Sequence, residues 1–347
     1  MTRLHSYKKY STAENALTKN SYAENYPIIN AAFTASTWAK HGAALNCFKM
    51  FELTEGSICT WPLSNDDINN FCYWALTVKK LKYSTVSAYI SSISLAHKLR
   101  GMDNSACYNY TTKLILRGAE NMTLYEPCKT RNRNVMTLSL LKILGNEIAI
   151  TNWTNESKQL FWTVSCIAFF GSFRMGELLN GTITKIDSAT SLLWKDLKYN
   201  GKSWLIHVKA PKSRTQGGEF IDIFPFKNHN CCPVAALNKW KEISKHSEIQ
   251  TNPVFIMSNG CCLTQKVFNE TIQNLLCHRL GDSCKNISGH SFRAGIPSAL
   301  AKNPELASDT HIMGWGRWCS PAYQTYTRLK LDQKESLFHK IVNVLNS

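Results

Sequence analysis

Apolar positions in the first third of the chain recur every three or four residues, the spacing of one face of an α-helix. In PLSNDDINNFCYWAL, Ile68, Phe71, Cys72 and Ala75 share a face, and Ser64 with Asp67 three residues on makes a capping signal at the start. In STVSAYISSISLAHKLRG, Val86, Tyr89, Ile90 and Ile93 repeat the pattern until Gly101, a residue suited to the left-handed position that closes a helix. Upstream, AFTASTWAKHGAALNCFKMF supports a further helix. Residues from about Ala31 to about Ala119 therefore read as a small helical bundle.

Periodicity stops in EPCKTRNRN, Glu126 to Asn134, which holds one proline, three cations and no apolar rhythm. Such a stretch reads as an exposed connection, dividing residues 1–125 from residues 135–347 with a linker at 126–134. Beyond it, TLSLLKIL and SKQLFWTVSCIAFF return to helical spacing, with Leu160, Val164, Ile167 and Ala168 on one side before a break at Gly171. KSWLIHVKA then alternates Trp204, Ile206 and Val208 against Leu205 and His207, PKSRTQGG supplies turn residues, and EFIDIFPF alternates again. Two alternating runs around a glycine-rich turn predict a β-hairpin. Helical patterns resume in AALNKWKEI, VFNETIQNLLCHRL and QKESLFHKIVNVL. The expected fold class is mainly α with a small antiparallel β-sheet: an N-terminal helical bundle followed by an α+β domain.

Length agrees with two domains, since 347 residues exceed what one hydrophobic core usually supports. Charge says more. Lys and Arg total 40 against 24 acids, a formal net charge of +16, which points to a polyanionic partner, with nucleic acid first and a membrane surface as the rival. No basic amphipathic helix or lipidation motif favours the membrane. The N-terminal MTRLHSYKKYSTAEN lacks the apolar core of a signal peptide, and FWTVSCIAFFGSF is too short to span a bilayer, so the expected location is intracellular, at DNA, and not secreted. Thirteen cysteines show no C-x-x-C spacing and read as reduced thiols.

Several chemistries find no footing: there is no phosphate-binding loop ending in Lys-Ser/Thr, no G-x-S-x-G and no H-E-x-x-H. Acids in the second domain are scattered, against the clustered carboxylates that metal-dependent nucleases need, so neither a metal nor another cofactor is expected. Phosphodiester chemistry without a metal needs protein cations around the phosphorane, a protein nucleophile and an acid for the leaving oxygen. Candidates exist for each. Arg174 opens a helical turn in GSFRMGELL, Lys212 lies at the hairpin tip in VKAPKSRT, His290 and Arg293 are one turn apart in SGHSFRAG, and Tyr323 and Tyr326 in AYQTYTR offer phenols. Gly289 and Gly295, flanking the His-Arg pair, are expected to let the backbone approach DNA closely.

Taken in order, these residues resemble the catalytic domain of the tyrosine recombinases, the phage-integrase family that includes Cre. That family's pattern is an Arg followed three residues later by an acid, a hairpin Lys, H-x-x-R, a His or Trp, then the Tyr nucleophile. Here the series is Arg174 with Glu177, Lys212, His290 with Arg293, Trp318 and Tyr326. The resemblance covers residues 137 to 328 by motif, and before the linker it is one of helical layout. The interval from Trp318 to Tyr326 is one residue shorter than in Cre, and GRW followed by Y-x-R is similar to the recombinases of Crypton-like mobile elements. Tyr323 is the alternative nucleophile.

The resemblance implies a site-specific DNA recombinase or integrase acting on double-stranded DNA as a homo-oligomer, with a tetramer on synapsed DNA. Residues 1–125 would be a core-binding domain, residues 135–347 the catalytic domain with a C-terminal docking helix, and Lys129, Arg131 and Arg133 of the linker would contact DNA. Arg174 and Arg293 would clamp the scissile phosphate with His290 and Trp318, Glu177 would orient them, and Lys212 would protonate the leaving 5′ oxygen. Tyr326 would attack phosphorus to form a 3′-phosphotyrosyl link, without ATP, and His290 is also a candidate to accept the tyrosine proton. Leu337, Phe338, Ile341 and Val344 share a face of the last helix, which would dock either on a neighbouring protomer or on its own domain. Two other readings share these residues: strand relaxation of the type IB topoisomerase kind, and a recombinase-derived DNA-binding protein without catalysis.

Overall fold

In the computed structural model the described residues are 29, 31–125, 134–182, 184, 186–209, 217–226, 229–302 and 307–318, the side chains of 35 and 123–125 apart. The linker cations Lys129, Arg131 and Arg133, the hairpin-tip Lys212, both candidate nucleophiles Tyr323 and Tyr326, and the C-terminal helix expected around Leu337 lie outside them. The chain divides into two compact units, Met1–Thr130 and Arg131–Ser347.

The first unit is helical: α1 (Ala35–Glu55), α2 (Asn65–Thr77), α3 (Tyr83–Leu99) and α4 (Tyr110–Tyr125), with a 3₁₀ turn at Ser105–Tyr108. Ser64 caps α2 as its sequence predicts, its hydroxyl accepting from the Asp67 amide at 3.1 Å while the Asp67 carboxylate accepts from the Ser64 amide at 2.9 Å. α3 runs to Leu99, and Gly101 beyond it takes a left-handed φ of 66°, the conformation that ends a helix at little cost in glycine. Phe48, Phe51, Ile68, Phe71, Trp74, Val86, Ile90 and Ile93 form the core. Each such side chain removed from water contributes about 1.5–3 kcal/mol. His97, fully buried, donates from Nδ1 to the Ile93 carbonyl at 2.9 Å and accepts the Leu63 amide at Nε2 at 3.0 Å.

The second unit is built around α6 (Asn155–Phe170), whose residues from Leu160 to Phe169 are all buried except the half-buried Trp162, with α5 (Leu138–Ile150) before it. A short helix, α7 (Met175–Leu178), follows the turn at Gly171. Among the described residues the sheet has three antiparallel strands, β1 (Leu197–Tyr199), β2 (Trp204–Val208) and β3 (Glu219–Ile223), in the order β1-β2-β3. β2 and β3 are the predicted hairpin, in a register that sets Trp204 opposite Ile223 and Val208 opposite Glu219. Trp204, Ile206 and Val208 are buried, as their alternation requires. β1 is an addition to that expectation.

Helices α8 (Pro233–Ile243) and α9 (Gln265–Leu280) complete the core, and α10 (Gly289–Arg293), α11 (Gly295–Ala301) and α12 (Asp309–Gly316) end the described chain. α8 locks onto α6 through polar as well as apolar contacts, because Thr163 Oγ1 and Gln159 Nε2 both donate to the Ala236 carbonyl at 2.9 Å. Trp240, fully buried, donates its indole N–H to the Val254 carbonyl at 2.8 Å. The described cysteines carry no disulfide, and no helix among the described residues is long and apolar enough to cross a membrane.

Candidate functional site

The end of α6 sets the first element of the site. Gly171 follows the helix, and a Cβ on it would fall 2.2 Å from the Phe173 ring, so only glycine lets the chain double back there. Ser172 next to it is a buried serine at φ 47°, a left-handed conformation that costs a non-glycine residue of the order of 1 kcal/mol. Its carbonyl accepts from both the Arg293 Nη1 at 2.6 Å and the Arg317 Nη2 at 3.3 Å. Strain at this serine thus coincides with the point where two guanidiniums meet.

Arg174 is the residue before α7, and Glu177 lies in that helix's first turn. The carboxylate accepts three donors: the Arg174 amide at 2.9 Å, the Arg174 Nη1 at 2.8 Å and the Arg317 Nη2 at 2.7 Å. Burial of Glu177 is the largest single influence on its acidity and acts to raise the pKa. The charge of Arg317, its hydrogen bond and the two bonds from Arg174 together outweigh burial, and the group titrates below its ordinary value of 4.5. Arg174 itself keeps a quarter of its side chain exposed, so its guanidinium is held by Glu177 yet open to an incoming anion.

Arg293 arrives from α10, a helix whose first residue, Gly289, hydrogen-bonds the Asn269 carboxamide at 3.0 Å through its amide. Its guanidinium is buried, donates to the carbonyls of Ser172 and Gly316, and lies 5.3 Å from the centroid of the Trp318 ring. His290, one turn earlier, is exposed. Arg174, Glu177, Arg293 and Trp318 therefore gather around the Ser172 turn from three separate stretches of sequence, with His290 on the same short helix as Arg293.

The glycines of SGHSFRAG have a different reason from the one their sequence suggests. A Cβ on Gly289 would fall 2.2 Å from Met175 Cγ, and one on Gly295 would fall 2.4 Å from the Phe169 ring and 2.8 Å from the Met136 carbonyl. Both glycines are buried, and they let α10 and α11 close against α6 and α7 rather than against DNA.

Arg317 was not among the sequence candidates. It follows α12 in a left-handed conformation, φ 52°, with its guanidinium 5.2 Å from the Phe173 ring centroid. Besides Glu177 and the Ser172 carbonyl it reaches Glu219, the first residue of β3, at 3.1 Å. Across the hairpin, Lys209 pairs with Asp196 at 2.8 Å and donates to the Ser188 carbonyl at 2.8 Å. The only hint in the sequence was the GRW triplet, in which Arg317 reads as one more member of a basic surplus.

No protein-family model matches the chain, and no curated protein matches it in sequence. Solved structures do. The chain is similar to XerH site-specific recombinase bound to palindromic difH substrate in a post-cleavage complex, at 12% identity over 87% of this chain and 78% of that one, with a TM-score of 0.58. It is similar to the Tn1549 transposon integrase in complex with circular intermediate DNA, at 15% identity over 91% of this chain and 97% of that one, with a TM-score of 0.57. Among the described residues, the mostly helical architecture with a small three-stranded antiparallel sheet matches the fold of the tyrosine recombinase catalytic domain.

Proposed function

We propose that the protein is a site-specific DNA recombinase or integrase that cuts and rejoins strands through a 3′-phosphotyrosyl intermediate. The observation that carries this reading is the gathering of Arg174, Glu177, Arg293 and Trp318 at one turn, on a fold shared with recombinases and integrases. Three guanidiniums, Arg174, Arg293 and Arg317, face two carboxylates, Glu177 and Glu219, in this cluster. The surplus positive charge suits a phosphodiester, and the formal net charge of +16 suits the duplex around it.

In the mechanism, Arg174 and Arg293 bind the non-bridging oxygens of the scissile phosphate. Their fixed, preorganised charge stabilises the pentacoordinate phosphorane more than the ground state. The phenolic oxygen of Tyr326 attacks phosphorus, its proton passing to a base for which His290 is the candidate. The bond from phosphorus to the 5′ oxygen breaks as Lys212 donates a proton to that oxygen. The products are a 3′-phosphotyrosyl protein and a free 5′-hydroxyl. Attack by a 5′-hydroxyl from a partner duplex reverses each step and joins the new strands, so the phosphotyrosyl bond retains the energy that rejoining needs. Lys129, Arg131 and Arg133 contribute backbone contacts, residues 1–125 hold the duplex, and a tetramer brings two duplexes together. The similarity of the GRW and Y-x-R ending to Crypton-like recombinases supports a mobile element as the protein's natural setting.

Arg293 donates to the carbonyls of Ser172 and Gly316 and is covered on one side by Trp318. Binding the phosphate exchanges some of these neutral partners for a charged one, which makes a stronger hydrogen bond. The test begins with a duplex recovered by repeated selection from a random-sequence pool. Two copies are placed in one supercoiled plasmid, and the protein is added with a chelator. Deletion or inversion between the sites is expected. Relaxation without rearranged product would replace recombination with topoisomerase action, and binding without either would reduce the protein to a DNA-binding role.

A further inference from the structure

We propose that Arg317 is a positioning residue that ties the Arg174 clamp to the base of the β2–β3 hairpin, so that the clamp and the start of β3 are held as one body. The inference rests on the recombinase reading. Its ground is the connectivity of a single side chain. Nη2 of Arg317 bonds Glu177 at 2.7 Å and the Ser172 carbonyl at 3.3 Å, and Nη1 bonds Glu219 at 3.1 Å. The same Glu177 oxygen that takes Arg317 also takes the Arg174 amide, and the other oxygen takes the Arg174 guanidinium. Any displacement of Arg317 is therefore passed to Arg174 through one rigid carboxylate.

On the other side, Glu219 is opposite Val208 at the end of the ladder nearest the hairpin tip. Lys209, the residue after Val208, is held by Asp196 and the Ser188 carbonyl. Each described leg of the hairpin thus ends in an ion pair, Lys209 with Asp196 and Glu219 with Arg317. The Lys209 anchor belongs to β2 and its surroundings. The Glu219 anchor connects the hairpin through Arg317 to the arginine cluster.

Arg317 is suited to this work rather than to binding the phosphate itself. Only 13% of its side chain is exposed, and both terminal nitrogens are bonded to carboxylates. Its planar fork can bridge two carboxylates at once, which a lysine ammonium on a single stem does with far poorer geometry. Its neighbours in sequence strengthen the link: the Gly316 carbonyl accepts from Arg293, and the Trp318 ring lies over the Arg293 guanidinium. Residues 316–318 thus touch Arg293 directly, Arg174 through the shared Glu177 carboxylate, and the hairpin at Glu219, with Arg317 nine positions before Tyr326 in sequence.

The experiment measures single-turnover cleavage and equilibrium DNA binding for the full chain, Arg317→Met, Arg317→Lys and Glu219→Gln. Three versions of the selected duplex are used: the natural phosphate, a 5′-bridging phosphorothiolate whose sulfur leaves without an acid, and a methylphosphonate whose neutral phosphorus centre needs less of an arginine clamp. A misplacement of about 1 Å costs on the order of 100-fold in rate, so Arg317→Met is expected to cleave the natural duplex about 100-fold slower, with Arg317→Lys between it and the parent. Affinity for the duplex stays within about 3-fold, since no phosphate contact has been removed. Glu219→Gln cuts only the hairpin side. Its defect is expected to shrink on the phosphorothiolate and to persist on the methylphosphonate, whereas that of Arg317→Met shrinks on both.

Equal defects on all three substrates, or no defect in either Arg317→Met or Glu219→Gln, would overturn the positioning role. If Arg317→Met does not fold, the Glu219→Gln pattern decides the matter, because that carboxylate is the more exposed of Arg317's two partners. Failure of the unaltered protein to cleave any of the three duplexes would overturn the recombinase reading instead.

Discussion

Replacing Glu177 by Ala removes the carboxylate on which the arginine cluster depends, and its cost can be worked from the contacts. Glu177 is 8% exposed and takes three hydrogen bonds, two of them from guanidiniums. Breaking one side of a buried ion pair costs about 3–5 kcal/mol, because the surviving charge is left without its partner. Arg174 is already a quarter exposed and can recover water, and Arg317 keeps Glu219, so the lower end applies, about 3 kcal/mol. In a unit of about 200 residues each kcal/mol moves the thermal midpoint by about 2–4 °C, giving an expected fall of about 6–12 °C. Calorimetry of the full chain measures it, with the transition of the second unit moving and that of the first staying in place. A fall of less than about 2 °C would refute the claim that Glu177 holds the two arginines, since it corresponds to less than about 1 kcal/mol.

Acid titrates the same contact. The folded-state pKa of Glu177 lies below its ordinary 4.5, so its contribution is present above pH 4.5 and is lost as pH falls through the folded value; the midpoint of the second unit should fall in that window, and less steeply in Glu177→Gln. Gly295→Ala drives a methyl group into the Phe169 ring and the Met136 carbonyl, and overpacking of this kind costs about 1–3 kcal/mol. Denaturant titration should register that loss together with slower strand cleavage, because Arg293 is two residues away. In the first unit, His97→Phe leaves the buried Leu63 amide without its acceptor, at about 1–3 kcal/mol; a shift confined to the first unit's transition is expected, with none in the second.

Local rules made much of the helical framework readable. Ser64 and Asp67 announce α2 because a cap needs only neighbours in sequence, and Gly101 ends α3 for the same reason. The hairpin was legible in the alternation of Trp204, Ile206 and Val208. β1 was not, since Leu197–Tyr199 is too short to alternate visibly and exists only through pairing with β2. α4 buries little besides Thr112 along most of its length, so its stripe offers no clear period.

The site divides along the same line. The order of Arg174, Glu177, His290, Arg293 and Trp318 could be read from the chain, and the fold brings Arg174, Glu177, Arg293 and Trp318 to one turn. Arg317 could not be read, because its partners Glu177 and Glu219 lie 140 and 98 residues away and only the closed fold pairs them. The glycines beside His290 and Arg293 were visible as glycines, but the methionine and phenylalanine that require them sit more than a hundred residues upstream. Close approach was the right physical idea applied to the wrong neighbour.

The central claim is that one phenol of this chain attacks a phosphorus held by arginines from distant parts of the second unit. It is tested most directly by trapping the protein on a nicked duplex carrying the selected site, digesting the adduct and sequencing the DNA-linked peptide. The account predicts a single modified tyrosine, Tyr326, and no adduct with Tyr326→Phe. An adduct on Tyr323 would move the nucleophile by one helical turn, and the absence of any tyrosine-linked DNA from a protein that still cuts the duplex would contradict the account.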